Sequence, residues 1–120
     1  MVNKEELKKK YKQTVLPMGI YIIKNSVNGK ILIGRSKNLP GKLNSIRFQL
    51  AHGSYVVEEV QKDYNNYGNN TFNFDTLDLL EPKTDGDTDY DGELKILEEM
   101  WLEKLQPYGE KGYNKKRIKK

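Results

Sequence analysis

The sequence predicts a small α+β domain: a three-stranded antiparallel sheet flanked by helices. Three observations predict it. Residues 20–23 and 31–33 are β-branched or apolar runs, and Asn25, Ser26, Asn28 and Gly29 stand between them as turn formers, which is the pattern of a β-hairpin. Residues 71–80 alternate, with Phe72, Phe74 and Thr76 on one expected face and Leu77 and Leu79 on the other. The remaining segments carry single apolar stripes at helical spacing, and each stripe must be covered by a sheet or by another helix.

Taken in order, residues 3–13 suit a short helix, with Asn3 as a cap, Glu5 and Glu6 in the first turn and Leu7 and Tyr11 on one face. In the hairpin, Asn28-Gly29 is expected to supply the positive φ values of a tight turn. After it, Leu39, Leu43, Ile46 and Leu50 form an apolar helical stripe, with Pro40 in the first turn, Gly41 as a weak helix former and His52-Gly53 closing the segment. A second helix should face inward through Val57, Val60, Tyr64 and Tyr67 and end at Gly68. The last runs over residues 92–105, with Leu94, Leu97, Trp101 and Leu105 inward, and Pro107 ends it.

A chain of 120 residues suits one domain with one modest core. It has no cysteine, so neither disulfides nor zinc–cysteine sites are available. No apolar run approaches the roughly 18–20 residues needed to span a bilayer, and the opening residues are too charged for a signal peptide, so a cytoplasmic location is expected and no membrane partner. The net charge of +4 is unevenly spread. Residues 1–16 carry five Lys against two Glu, residues 110–120 carry six basic residues against one Glu, and residues 81–103 carry nine acids against two Lys. Basic ends suit phosphate contact or simple solvation. Asp85, Asp87, Asp89 and Asp91 alternate in a loop, but the glycine and glutamate register of a calcium loop is missing, so a solvated acidic loop is expected.

One carboxylate stands out. Glu98 shares the stripe of Leu94, Trp101 and Leu105, and a charge in such a place is paired, protonated or metal-bound, because burying it alone costs several kcal/mol. Pairing with a nearby lysine and holding a metal ion both satisfy that demand. Glu99 points away.

The tripeptides Gly19-Ile20-Tyr21 and Leu32-Ile33-Gly34 at the two ends of the hairpin resemble the GIY-YIG nuclease family, which carries them on the first two strands of its sheet. The Tyr67-Gly68 then Phe72-x-Phe74 cadence and the closing Tyr113-Asn114 are similar to it as well. The resemblance implies a domain over residues 17–114, with residues 1–16 as a basic helical extension and 115–120 as a basic tail. It implies that Glu98 is the sole protein ligand of a divalent ion, Mg2+ or Mn2+, that Tyr21 stands near the attacking water and that Asn114 belongs to the site. The family's second tyrosine is replaced by Leu32, its arginine, eight residues after Gly34, by Lys42, and a further polar position by Ile46. Lysine keeps the charge but not the bidentate fork. Tyr55 falls near another polar family position, and His52 is expected to be structural or exposed.

These departures predict a nuclease fold with a degenerate active site, binding nucleic acid with weak or no cleavage, since losing even one well-placed donor costs about 2.7–4 kcal/mol of transition-state stabilisation. The contacts expected are Arg35, Lys37, Lys42, Arg47, Lys115, Lys116 and Arg117 on double-stranded DNA, largely without sequence preference. An active metal-dependent DNA endonuclease is the first alternative. The second is an interaction protein that meets another nuclease or a host factor through the acidic loop at 85–91.

Overall fold

The apolar residues from position 18 onward build the strand that becomes the middle of the sheet, because both of its faces find cover. In the computed structural model, which describes residues 16–82 and 88–115, β1 (Met18–Asn25) pairs antiparallel with β2 (Ile31–Ser36) on one side and with β3 (Phe72–Leu80) on the other. The helices are α1 (Leu39–Ala51), α2 (Glu58–Tyr67) and α3 (Tyr90–Leu105). The helix expected at 3–13, Asp85 and Asp87 of the acidic loop, and Lys116 and Arg117 lie outside the described residues.

Register decides which side chain faces which layer. Tyr21 lies opposite Gly34 and Thr76, and Ile23 opposite Leu32 and Phe74, so these share one face. That face joins Leu39, Ile46 and Leu50 of α1 and Val60 of α2 in the main buried cluster. Ile20 opposite Arg35, and Ile22 opposite Ile33, belong to the other face. There α3 packs, with Leu94 buried and the Trp101 indole Nε1–H donating to Asp78 on β3 at 2.9 Å.

Several expectations need correcting in detail. Asn28 does not adopt positive φ; Gly29 alone does in the hairpin connection, at +76°. The connection is a four-residue loop closed by Asn25 N–H donating to Lys30 O at 2.9 Å and Gly29 N–H to Asn25 O at 2.8 Å, and this longer path needs a single left-handed residue. The register of β3 against β1 shifts between Ile20 and Tyr21, leaving Leu77 without an opposite residue. Past that bulge Leu79 pairs with Gly19 and shares the face of Phe74 instead of opposing it, and it is exposed. Tyr67 is also exposed, because α2 ends there. Finally, α3 begins at Tyr90 rather than Gly92, since Asp89 caps it by accepting the Gly92 N–H at 3.0 Å.

At two glycines a Cβ would meet atoms already in place, a side chain at Gly41 and backbone at Gly19. At Gly41 the Asn38 cap, accepting the Gly41 N–H at 3.0 Å, fills the space of a Cβ, which would lie 2.3 Å from Asn38 Nδ2. A Cβ on Gly19 would lie 2.0 Å from the backbone oxygen of Asp78. Gly19→Ala should therefore lower unfolding free energy in urea by about 3 kcal/mol or more, as forced overpacking does. Gly29→Ala meets nothing within 4 Å and should cost only the left-handed backbone penalty, about 1–2 kcal/mol.

Candidate functional site

β2 is an edge strand, and its outer side is closed by residues from the far end of the chain. Ile33 N–H donates to Asn114 Oδ1 at 2.9 Å and Asn114 Nδ2–H to Ile33 O at 2.8 Å, so one side-chain amide imitates a neighbouring strand. Tyr113 N–H donates to Ile31 O at 2.8 Å, and Ile31 bridges to Gly112. A Cβ on Gly112 would stand 2.4 Å from Pro107 O and 2.6 Å from Ile31 O, which is why glycine occupies the crossing. The amide of Asn114, expected in the catalytic set, is thus spent on the β2 backbone.

On the α1 and α2 side of this edge, Tyr21 lies across Gly34, so closely that a Cβ there would be 2.2 Å from the Tyr21 hydroxyl. The phenol hydroxyl pairs with that of Tyr55, and its pKa is raised, first by burial and then by Tyr55 and the charge of Glu98. Burial also raises the Tyr55 phenol. Tyr55 itself is set by Gln61, whose Oε1 accepts the Tyr55 N–H at 3.0 Å while its Nε2–H donates to Leu50 O at 3.0 Å and Asn65 Oδ1 at 2.9 Å. Nothing in the sequence singled out Gln61, a buried polar residue on a helix of otherwise ordinary composition.

On the α3 side, Glu98 is only 8% exposed, and Arg35 Nη1–H donates to its Oε1 at 2.7 Å. Arg35 stands at the end of β2 and Glu98 in the middle of α3. Lys37, two residues on, pairs with Asp91 of the first turn of α3 at 3.1 Å, in the open. Two of the bases expected to meet phosphate are therefore matched to carboxylates of one helix. Two of the aspartates expected in a solvated loop cap or anchor that helix instead. No cluster of three or more metal-ligating side chains occurs among the described residues. As the side chains stand, Glu98 does not fit a divalent ion, because a guanidinium is already bound to it.

The altered motif positions are built into the interior. Ile46 is fully buried between α1 and the sheet. Leu32 is buried at the base of an open groove of about 760 Å³ bordered by Val56, Val57, Tyr113 and Asn114, with Lys115 on its rim. Lys42 is exposed on the first turn of α1. Arg47 is not with Arg35: it lies over the Phe74 ring of β3 at 4.8 Å, toward the other edge of the sheet. His52 is exposed and stacks on Phe48, with ring centroids 4.1 Å apart.

A polar network that sequence reasoning missed holds the hairpin loop to this end of the molecule. Fully buried Asn25 accepts the Val27 N–H at 3.0 Å through Oδ1 and donates through Nδ2–H to the Tyr113 hydroxyl at 3.0 Å. That hydroxyl donates to Asp63 on α2 at 2.7 Å, and Lys30 pairs with Glu59. Burial pushes the Tyr113 phenol from the ordinary 10 up to about 12, opposed by Asn25 and aided by Asp63. A phenol raised in the folded state stabilises it below the unfolded value and loses that contribution as pH climbs through the folded one. Stability should accordingly fall between pH 10 and 12, and Tyr113→Phe should make that part of the denaturation profile less steep, the raised Tyr21 and Tyr55 phenols supplying the rest, while costing about 1–3 kcal/mol at neutral pH for the partners left unmet.

No protein-family model matches the chain, and no curated protein matches it. Two solved structures do. One is a variant of the catalytic domain of intron endonuclease I-TevI, with a TM-score of 0.63 and 22% identity over 76% of this chain and 86% of that one. The other is the catalytic domain of homing endonuclease I-TevI, with a TM-score of 0.61 and 25% identity over 74% of this chain and 88% of that one. The chain has a GIY-YIG nuclease-like fold, with the three-stranded antiparallel sheet and flanking helices expected of it. No helix among the described residues is long and apolar enough to cross a membrane.

Proposed function

We propose that this protein binds nucleic acid, most simply double-stranded DNA in the cytoplasm, through a GIY-YIG fold whose active site is degenerate and cleaves weakly or not at all. The observation that carries the reading is the burial of Leu32 and Ile46, two positions nearest the family's chemistry, as apolar core. Neither side chain can donate or accept a proton. Binding is then electrostatic, through Lys42, Lys115 and the following Lys116 and Arg117, with Arg35 and Lys37 contributing to the extent that phosphate competes with Glu98 and Asp91.

A second reading has one specific observation in its favour. The Tyr21 and Tyr55 hydroxyls are paired, and the charge of Glu98 acts on Tyr21, so a phenol and a carboxylate of the right types still lie within electrostatic reach of each other. On that reading the protein is a divalent-metal-dependent DNA endonuclease using Mg2+ or Mn2+. Of the aspartates on which the protein-interaction reading rests, Asp89 caps α3 and Asp91 pairs with Lys37.

Gel shifts and plasmid cleavage on the same DNA, with EDTA, Mg2+ or Mn2+, separate these readings. Binding without nicking is expected in all three conditions, with affinity falling steeply as salt rises because each neutralised phosphate releases counterions. Robust wild-type nicking that Glu98→Ala abolishes would establish the endonuclease instead. Absence of any shift at low salt would remove the nucleic-acid reading altogether.

A further inference from the structure

We propose that Arg35 is the resident cation of Glu98, holding the place at that carboxylate which a divalent ion would otherwise take, so that the free protein closes Glu98 to metal. The inference goes beyond nucleic-acid binding and does not depend on it.

Three observations support it. Glu98 is nearly buried, at 8% exposure, and a carboxylate in that position requires a counter-charge. The guanidinium supplies one at 2.7 Å, within the range of a strong charge-assisted hydrogen bond. Register fixes the pairing: Arg35 lies opposite Ile20 on β1 and so projects toward the layer of α3. The parallel pair of Lys37 and Asp91 at 3.1 Å ties the next stretch of chain to the same helix, two turns earlier. A metal ion arriving at Glu98 has to displace Arg35 and then sit beside a positive charge that has lost its partner. Hard divalent ions take several oxygen ligands, and no group of three or more acidic or other metal-ligating side chains is present among the described residues to offset that repulsion.

Arginine cannot escape by losing its proton, since it stays charged at any accessible pH. The block is therefore insensitive to pH in the neutral range and depends on the side chain at position 35. Its removal, not the addition of further acids, is what should create a metal site.

Paramagnetic broadening by Mn2+ reads this directly, because it detects weak binding and needs no DNA and no activity. Amide signals of residues 33–35 and 97–99 are followed in wild type, Glu98→Gln, Arg35→Gln and the Arg35→Gln/Glu98→Gln double variant as Mn2+ is added. Wild type and Glu98→Gln should be broadened equally little. Arg35→Gln should lose most of the intensity of these signals, and the double variant should regain it. Arg35→Lys, which retains a cation, should behave more like wild type than like Arg35→Gln. Broadening in wild type that Glu98→Gln removes would overturn the proposal even if Arg35→Gln failed to fold, and so would a folded Arg35→Gln protein with no Glu98-dependent broadening. DNA binding can fail while this result stands, and the reverse, so the two readings fall separately.

Discussion

The close passage of Tyr21 over Gly34 is the constraint around which this end of the molecule is assembled. A ring laid flat across the neighbouring strand can reach Tyr55 only if that strand offers bare backbone where it crosses. Once the ring is there, α1 and α2 must leave room above it, and they do so through a buried glutamine that fixes the loop carrying Tyr55. Gly19 plays the corresponding part on the β3 side, where close approach of the Asp78 backbone accompanies the bulge. Gly19 and Gly34 are thus steric requirements, one toward each neighbour of the central strand.

Those requirements make the sheet independent of the chemistry at its edge. Removing a glycine breaks the sheet, whereas exchanging a catalytic side chain for an apolar one can add to the core. Leu32 and Ile46 are apolar side chains of the core. The charges have been settled differently, by matching: Arg35 with Glu98 and Lys37 with Asp91, each pair spanning β2 or its extension and α3. Of the two, the nearly buried pair carries the greater energetic weight, since exposed pairs contribute about 0–1 kcal/mol.

The elements were legible because their signals are local. Alternation marks the hairpin, and the stripe from Leu39 to Leu50 marks α1. The site was legible only in part. Tyr21 and Glu98 could be named from motif and burial logic, but the partner of Glu98 could not, because Arg35 is 63 positions away and resembles any solvent-facing base. The bulge at Leu77 left no trace either, since a single extra residue disturbs alternation no more than an ordinary polar substitution. Asn25 and Gln61 escaped because residue type alone does not distinguish a buried, fully bonded amide from a surface one. Charge alone groups Arg47 with Arg35, and only the strand order sends them toward opposite edges.

The closure of β2 by Asn114 also fixes an order of events during synthesis. The hairpin needs only near neighbours and can form as soon as it emerges, but the groups that seal its outer edge lie 81 residues later. Contacts of such separation form late, after the chain entropy of the intervening loop has been overcome. Until residue 114 is available, a nascent chain presents β2 as an open strand edge, the kind of surface that recruits other strands. For this protein the vulnerable interval is therefore set by the time the ribosome takes to travel from one side of a single pair of hydrogen bonds to the other.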